Sequence, residues 1–173
     1  MLIFVIVLLF NRDSGTNTQT GNKAVVLADY ANKDARAELT QQGKVTAQEK
    51  RYSVHMTVSR TERVIEVLQG YDQTVLRRET FSNNESAYST FIIALDQTGF
   101  SREKPSIIKD ERGACPLGQR YIYELNDGTS QVLRLWNTSC NTKEGTFGGK
   151  STVRQLFQEQ FPNYGDITRG ITL

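Results

Sequence analysis

The stretch RYIYELNDGTSQVLRLW, residues 120–136, decides the fold because it predicts a β-hairpin. Two runs rich in aromatic and branched side chains flank Asn126, Asp127 and Gly128, and an Asp-Gly pair between such runs is a strong signal for a two-residue hairpin turn. With Asp127 and Gly128 in the turn, each residue faces the one at the same distance on the other side, so Tyr123 faces Val132. The hairpin indicates an antiparallel sheet.

The two cysteines of the chain agree with this hairpin. Cys115 and Cys140 are also equidistant from the turn, and facing residues in an antiparallel pair have Cα atoms about 4.5–5.5 Å apart, which is within disulfide range. The spacing therefore predicts a disulfide that staples the hairpin. The alternative is a redox-active or metal-binding pair, but there is no CxxC spacing and no histidine nearby in sequence.

Aromatic and basic side chains of the predicted sheet are the candidate contact surface for a partner. In the hairpin register above, three aromatic residues point to the same face as the cysteines: Tyr121, Tyr123 and Trp136. Arg60, Arg63, Arg77 and Arg78 on neighbouring strands form a candidate basic patch, from which we include Arg77 and Arg78 in the surface. The alternatives are core packing around the disulfide for the aromatic residues and an ordinary solvated sheet face for the arginines.

The chain before the hairpin predicts a meander of strands. Residues 51–59 alternate strictly between apolar and polar side chains, which is typical of a strand with one buried face. Residues 63–69 and 73–80 follow after short turns as antiparallel neighbours. Weaker patterns predict a short helix over residues 23–32, a small hairpin of residues 35–40 and 44–48, and a short strand over residues 105–110.

Two helices are predicted, one on either side of the hairpin. Ser82 and Glu85 have capping-box spacing, and a helix over residues 83–98 follows, ending at Gly99. Its apolar stripe contains Tyr88, Phe91, Ile92 and Leu95. Ser151 or Thr152 begins the last helix, whose apolar face contains Val153, Leu156, Phe157 and Phe161. The predicted fold class is α+β, a mainly antiparallel sheet (meander plus hairpin) with two main helices packed on one face.

The N-terminal segment MLIFVIVLLF, residues 1–10, is uninterrupted apolar, and a polar stretch follows it. A ten-residue helix is about 15 Å long and a bilayer core about 30 Å thick, so the segment is too short to span alone. A truncated membrane anchor is the favoured interpretation; a signal remnant and a buried strand are the alternatives. The chain then divides into the anchor or remnant (1–10), a polar tether (11–22) and one extracytoplasmic domain (23–173).

The sequence offers little catalytic chemistry. His55 is the only histidine, and no serine or cysteine adjoins it. The loop EGTFGGKST, residues 144–152, lies between a strand and a helix, as phosphate-binding loops do, but it has Glu144 where that motif requires glycine. The net charge of +2 is too small to indicate a nucleic-acid-binding surface. We therefore expect no catalytic residues, no cofactor, no metal and no nucleic-acid partner.

The segments CPLGQRYIYEL, LWNTSC and GTFGG, with the closing VRQLFQEQFPNY, resemble an uncharacterised family of small membrane-anchored exported proteins of episymbiotic candidate-phylum bacteria. The resemblance covers most of the chain after the tether. It implies a membrane-anchored envelope or surface protein and implies no activity.

From these features we expect a non-enzymatic domain outside the cytoplasm, tethered to the membrane by its N-terminal segment. It would bind or scaffold an unknown envelope or surface protein. The alternatives are an exported inhibitor or chaperone-like accessory protein and, third, a hydrolase acting on wall or peptide substrates.

Overall fold

A computed structural model describes residues 25–108, 110–140 and 144–173, which form an antiparallel sheet with helices packed on one face. The strands are β1 (Ala35–Gln42), β2 (Tyr52–Val58), β3 (Glu62–Gln69), β4 (Thr74–Ser82), β5 (Arg120–Asp127) and β6 (Ser130–Thr138). The α-helices are α1 (Glu85–Thr98), α2 (Thr152–Gln158) and α3 (Tyr164–Ile167), and short 3₁₀ turns cover Leu27–Tyr30 and Gln48–Lys50.

The six strands lie in the order β4-β3-β2-β1-β5-β6, and every neighbouring pair is antiparallel. Strands β2 to β4 are the predicted meander, and β5 and β6 are the predicted hairpin. Strand β1 covers residues 35–40 of the predicted small hairpin and extends the meander instead. The two parts join where β5 pairs with β1. The predicted fold class, α+β with a mainly antiparallel sheet, is confirmed.

The core lies between one face of the sheet and the helices. Val54, Met56 and Val58 of β2 are fully buried there, as the alternation of residues 51–59 predicts. The apolar stripe of α1 is buried against them, and the hydroxyl of Tyr88 donates a hydrogen bond to the carbonyl of Ala35 (2.7 Å). Further buried aromatic rings come from α2 and the end of α1: Phe157 and Phe100.

The ends of α1 correct one prediction and match another. The N-cap is Asn84, whose side chain accepts a hydrogen bond from the amide of Ala87 (2.9 Å); Ser82 instead ends strand β4. An Asn cap satisfies one of the free amides of the first turn, as the predicted Ser would have done. At the other end Gly99 takes the left-handed conformation (φ 84), and the amide of Phe100 donates to Leu95, as predicted.

The predicted hairpin register is wrong, although its disulfide is present. Asp127 pairs with Ser130, and a bulge next to Leu125 shifts the ladder, so Tyr123 faces Leu135 rather than Val132. The cysteines lie beyond the paired strands, where Cys115 and Cys140 form a disulfide with Cα atoms 5.6 Å apart. Because the shift is an odd number of residues, it moves Trp136 to the opposite face of the sheet from Tyr123.

The structure differs from three of the predicted elements: the small hairpin, the short strand and the first helix. Residues 44–48 form no strand, because β1 pairs instead with β2 and β5. Residues 105–108 are irregular, and the predicted first helix is reduced to the 3₁₀ turn Leu27–Tyr30. The anchor (1–10) and tether (11–22) lie outside the described residues. Within the described ranges, no helix has the length and apolar character needed to cross a bilayer.

Candidate functional site

The face of the sheet opposite α1 and α2 has a cluster of polar side chains at its centre. His55 on β2 lies between two threonine hydroxyls, with Nδ1 2.9 Å from Thr40 Oγ1 and Nε2 3.0 Å from Thr57 Oγ1. Its Nε2 is also 3.4 Å from a carboxylate oxygen of Glu38. The single histidine is thus a hydrogen-bonded strand residue, held by groups on β1 and on its own strand.

Two carboxylates of this cluster lie opposite each other, Glu38 on β1 and Glu124 on β5. Burial raises the pKa of Glu38, but hydrogen bonds from His55 and Asn126 outweigh it, so the pKa lies below its usual value. Burial also raises the pKa of Glu124, and the nearby charge of Arg134 does not offset it. The surroundings of Glu38 therefore favour its ionised form, whereas those of Glu124 disfavour it.

In space, the cluster places a carboxylate next to an imidazole and the imidazole next to a hydroxyl. This is also the arrangement of groups in a nucleophilic triad. The hydroxyls, however, belong to Thr40 and Thr57 in the middle of β1 and β2. Both strands are paired on both sides, so their backbone amides are used in the ladder and are not free to stabilise an oxyanion. This geometry favours a role in holding strands together.

The three aromatic residues of the candidate surface are buried, so they do not form an exposed contact patch. Tyr121, Tyr123 and Trp136 are 5%, 0% and 1% exposed. Tyr123 stacks on the ring of Phe147 with centroids 3.9 Å apart. Tyr121 and Tyr123 belong to the core between the sheet and the helices. Trp136 is buried on the opposite face of the sheet, since it pairs with Ile122 and not with Tyr121.

The arginines do not form one basic patch either. Arg77 lies on the helix side of β4 and donates to the carbonyls of Ile167 (2.6 Å) and Arg169 (2.9 Å) at the end of α3. Arg63 binds the carbonyl of Gln160 in the same way. Arg78 points to the opposite face and pairs with Glu66 (2.8 Å). The partners of these cations are thus backbone carbonyls in and next to the C-terminal helices and a carboxylate on a neighbouring strand.

Strand β6 is an edge of the sheet, and its free side is only partly covered. The amide of Phe147 donates to the carbonyl of Trp136 (2.9 Å), so residues 145–147 cover the end of this edge. Backbone groups alternate in direction along a strand, so the amide and carbonyl of Arg134 point the same way. Among the described residues, no backbone hydrogen bond reaches them from that side.

A groove of about 760 Å³ runs beside this open edge. Its wall on the sheet side is formed by residues 132–135, and α1 and the chain after it form the other wall. Leu133 and Val25 give it apolar, half-buried surface. Asp96, Arg102, Glu103 and Arg134 supply charges of both signs along its lining. Sequence patterns did not reveal this groove, because it depends on which strand is the edge.

Metal chemistry has little basis in the described part of the chain. Within residues 25–108, 110–140 and 144–173, no three or more His, Cys, Asp and Glu side chains are grouped so as to hold an ion.

The chain matches no family model and no curated protein. The family resemblance of its sequence segments therefore stays an expectation.

Proposed function

We propose that this chain is a non-enzymatic binding domain, tethered to the membrane and placed outside the cytoplasm, whose partner is an envelope or surface protein. The observation that carries the proposal is the groove beside the open edge of β6. An edge strand with unpaired amides and carbonyls accepts an extended segment of another chain as an additional strand.

The groove suits this kind of contact in two ways. Main-chain groups of Arg134 supply hydrogen bonds that any extended peptide satisfies, while Leu133 and Val25 supply apolar area for alternate side chains. Among the described residues the outer side of β4, the opposite edge, also lacks a backbone partner, but β4 does not line the groove. A segment added at β6 can therefore fill the groove as well as pair with the strand.

The location outside the cytoplasm has separate support. The bond between Cys115 and Cys140 fits an oxidising compartment, where disulfides form and persist. The apolar residues 1–10 give the chain a means of membrane attachment, and the polar residues 11–22 give it a spacer.

Site-specific photo-crosslinking in cells tests the binding role. The full chain is produced in a bacterium with a photoreactive residue in place of Val132, which lines the groove, or of Thr80, which is exposed on β4. We expect a discrete crosslinked protein in the membrane fraction from position 132 and none from position 80. Equal products at both positions, or none at position 132, would contradict the groove as the binding surface.

Fractionation of the same cells tests the location. We expect the chain in the membrane fraction, degraded by protease added to spheroplasts, with Cys115 and Cys140 resistant to alkylation before reduction. A soluble, protease-protected chain with two reactive thiols would refute the tethered, extracytoplasmic placement, whatever the crosslinking shows.

A further inference from the structure

A second cavity lies where the ends of β5 and β6 meet the loop before α2, and the proposed function does not use it. Its volume is about 470 Å³, and an adjoining one of about 350 Å³ shares three of its lining residues: Tyr121, Ser151 and Arg154. We name the two together the α2 trough. We propose that the α2 trough binds an acidic sugar, with Arg154 holding its carboxylate or phosphate group.

The charge of the trough favours an anion. Lys104 and Arg154 line it, and none of the described residues in its lining is acidic. The guanidinium of Arg154 lies 4.2 Å from the centre of the Tyr121 ring, and no carboxylate of the described residues pairs with it. The carboxylate of Glu144, which does not line the trough, accepts a hydrogen bond from Thr138, which does, so Arg154 supplies the charge that favours an anion. A guanidinium fixed on an aromatic ring is well placed to bind a planar oxyanion.

Polar groups along the trough favour a ligand with hydroxyl groups. Gln41 is 8% exposed, and its Oε1 is buried without a hydrogen-bond partner among the described residues, although its Nε2 donates to Gln119 (3.1 Å). Gln155, which lines the same end of the trough and is exposed, supplies an amide group that a ligand hydroxyl can reach. Asn137 accepts a hydrogen bond from Tyr123 through Oδ1, and within the described part of the chain its amide nitrogen has no acceptor. Ser151, at the start of α2, makes no capping hydrogen bond.

The glycines beside the trough exclude a nucleotide-type phosphate loop. The amide of Gly148 donates to the carbonyl of Arg102 (2.7 Å), so it is not free to cradle a phosphate. A side chain at Gly149 would lie 2.3 Å from the carbonyl oxygen of Gly99, so this glycine permits close packing against the end of α1. The anion is therefore held by side chains, and Arg154 is the principal one.

Calorimetric titration of the full chain in detergent tests the proposal with four probes: glucuronate, glucose 6-phosphate, glucose and inorganic phosphate. We expect at least one of the two acidic sugars to bind about tenfold or more tightly than glucose, because a charge-assisted hydrogen bond is lost in the neutral sugar. Which acidic sugar binds distinguishes a carboxylate from a phosphate ligand. Phosphate alone should bind more weakly than the preferred sugar, because it cannot reach the polar groups near Gln41.

Variants identify the site. Arg154→Met should weaken binding of the preferred sugar about tenfold or more, and Ser151→Ala should weaken it less. Arg169→Met is the matched control, since Arg169 is an exposed arginine outside the trough. An unfolding curve for each variant separates lost binding from lost fold. The proposal is overturned if neither acidic sugar binds, if glucose binds as well as they do, or if folded Arg154→Met binds like the control. Crosslinking at position 132 is independent of all these outcomes.

Discussion

At the scale of single residues, Glu38 and Glu124 face each other across β1 and β5, yet the fold moves their pKa values in opposite directions. The cause is their different partners. Glu38 accepts hydrogen bonds from Asn126 (3.0 Å) and lies beside His55, whereas Glu124 has one hydrogen bond from Gln131 (2.9 Å) and a longer contact with Arg134 (3.5 Å). Side chains on one surface thus contribute with opposite sign to the pH dependence of stability.

Substitution of each carboxylate should reveal these signs. A lowered pKa means that Glu38 stabilises the fold above its unfolded-state pKa of about 4.3, and that this stability is lost as the pH falls through the folded value. The destabilisation caused by Glu38→Gln should therefore grow as the pH rises from 3 to 6, in buffers chosen around that value of about 4.3. Urea unfolding at each pH measures it. A difference that is constant with pH would contradict the lowered pKa.

Glu124→Gln should behave in the opposite way. Because its pKa is raised, Glu124 contributes stability below about pH 4.3 that is lost as the pH rises through the folded value. The destabilisation caused by this variant should then shrink, or change sign, over the same pH range. The Glu38→Gln series is the matched control, since both substitutions remove one carboxylate from facing positions. Parallel curves for the two variants would be incompatible with opposite shifts.

Residue patterns alone could not identify these partners. The facing of Glu38 and Glu124 depends on the pairing of β1 with β5, which are far apart in sequence, and no local signal sets that register. Arg77 illustrates the same limit: its partners are the carbonyls at the end of α3, some ninety residues later, and no pattern on its own strand indicates them. The sequence shows which side chains are charged, but it does not show which residue contacts each of them in the folded chain.

At the scale of elements, local sequence patterns predicted a helix or strand correctly where the pattern lies within that element. The alternation in residues 51–59 predicted β2, and the stripe and Gly99 predicted α1, because periodicity and a left-handed glycine act within one element. The hairpin was predicted, but its turn is formed by Gly128 and Thr129 rather than by Asp127 and Gly128, and its register differs. Asp127 pairs directly with Ser130, and the bulge beside Leu125 has no signature in the side chains.

The disulfide should stabilise the domain through its loop. Cys115 and Cys140 are separated by 25 residues, and for a loop of this size the chain-entropy estimate is about 3 kcal/mol. Reduction, or Cys115→Ser with Cys140→Ser, should lower the free energy of unfolding by about that amount in urea titrations. Mass spectrometry of unreduced protein supplies the control. Two free thiols in protein isolated without reductant would contradict the bond itself.

Helix α1 should depend strongly on its buried stripe. Leu95 is fully buried between the helix and the sheet, so Leu95→Ala should lower the free energy of unfolding by about 2–5 kcal/mol through lost burial and a cavity. Ile93→Ala is the matched control, because Ile93 lies on the same helix and is 44% exposed. Chemical denaturation of both variants gives the comparison. A loss well below 1 kcal/mol for Leu95→Ala, which is far under the usual core range, would mean that the position is not core.

At the scale of the whole molecule, the two faces of the sheet have different roles. The helix-covered face contains the apolar core, and Arg63 and Arg77 attach the C-terminal helices to it. The opposite face is held by hydrogen-bonded and ionic pairs across the strands. Both proposed binding sites lie where the sheet meets its surroundings: the groove along β6 and the trough beside α2. Neither was predictable from sequence, because an edge and a cavity exist only once the strand order is fixed.

The core described for residues 25–108, 110–140 and 144–173 closes between the sheet and the helices, so residues 23–173 should fold without the segments before them. Residues 11–22 contain almost no apolar side chains with which to pack. We expect the shortened chain to be soluble and to unfold cooperatively in urea, and the full chain to partition into membranes or detergent. The matched control lacks only residues 11–22, which keeps the apolar segment and should still partition. If removal of residues 1–10 unfolded the domain, that segment would be a core strand. The membrane tether would then lose its basis, and a location with reduced cysteines would have to be considered again.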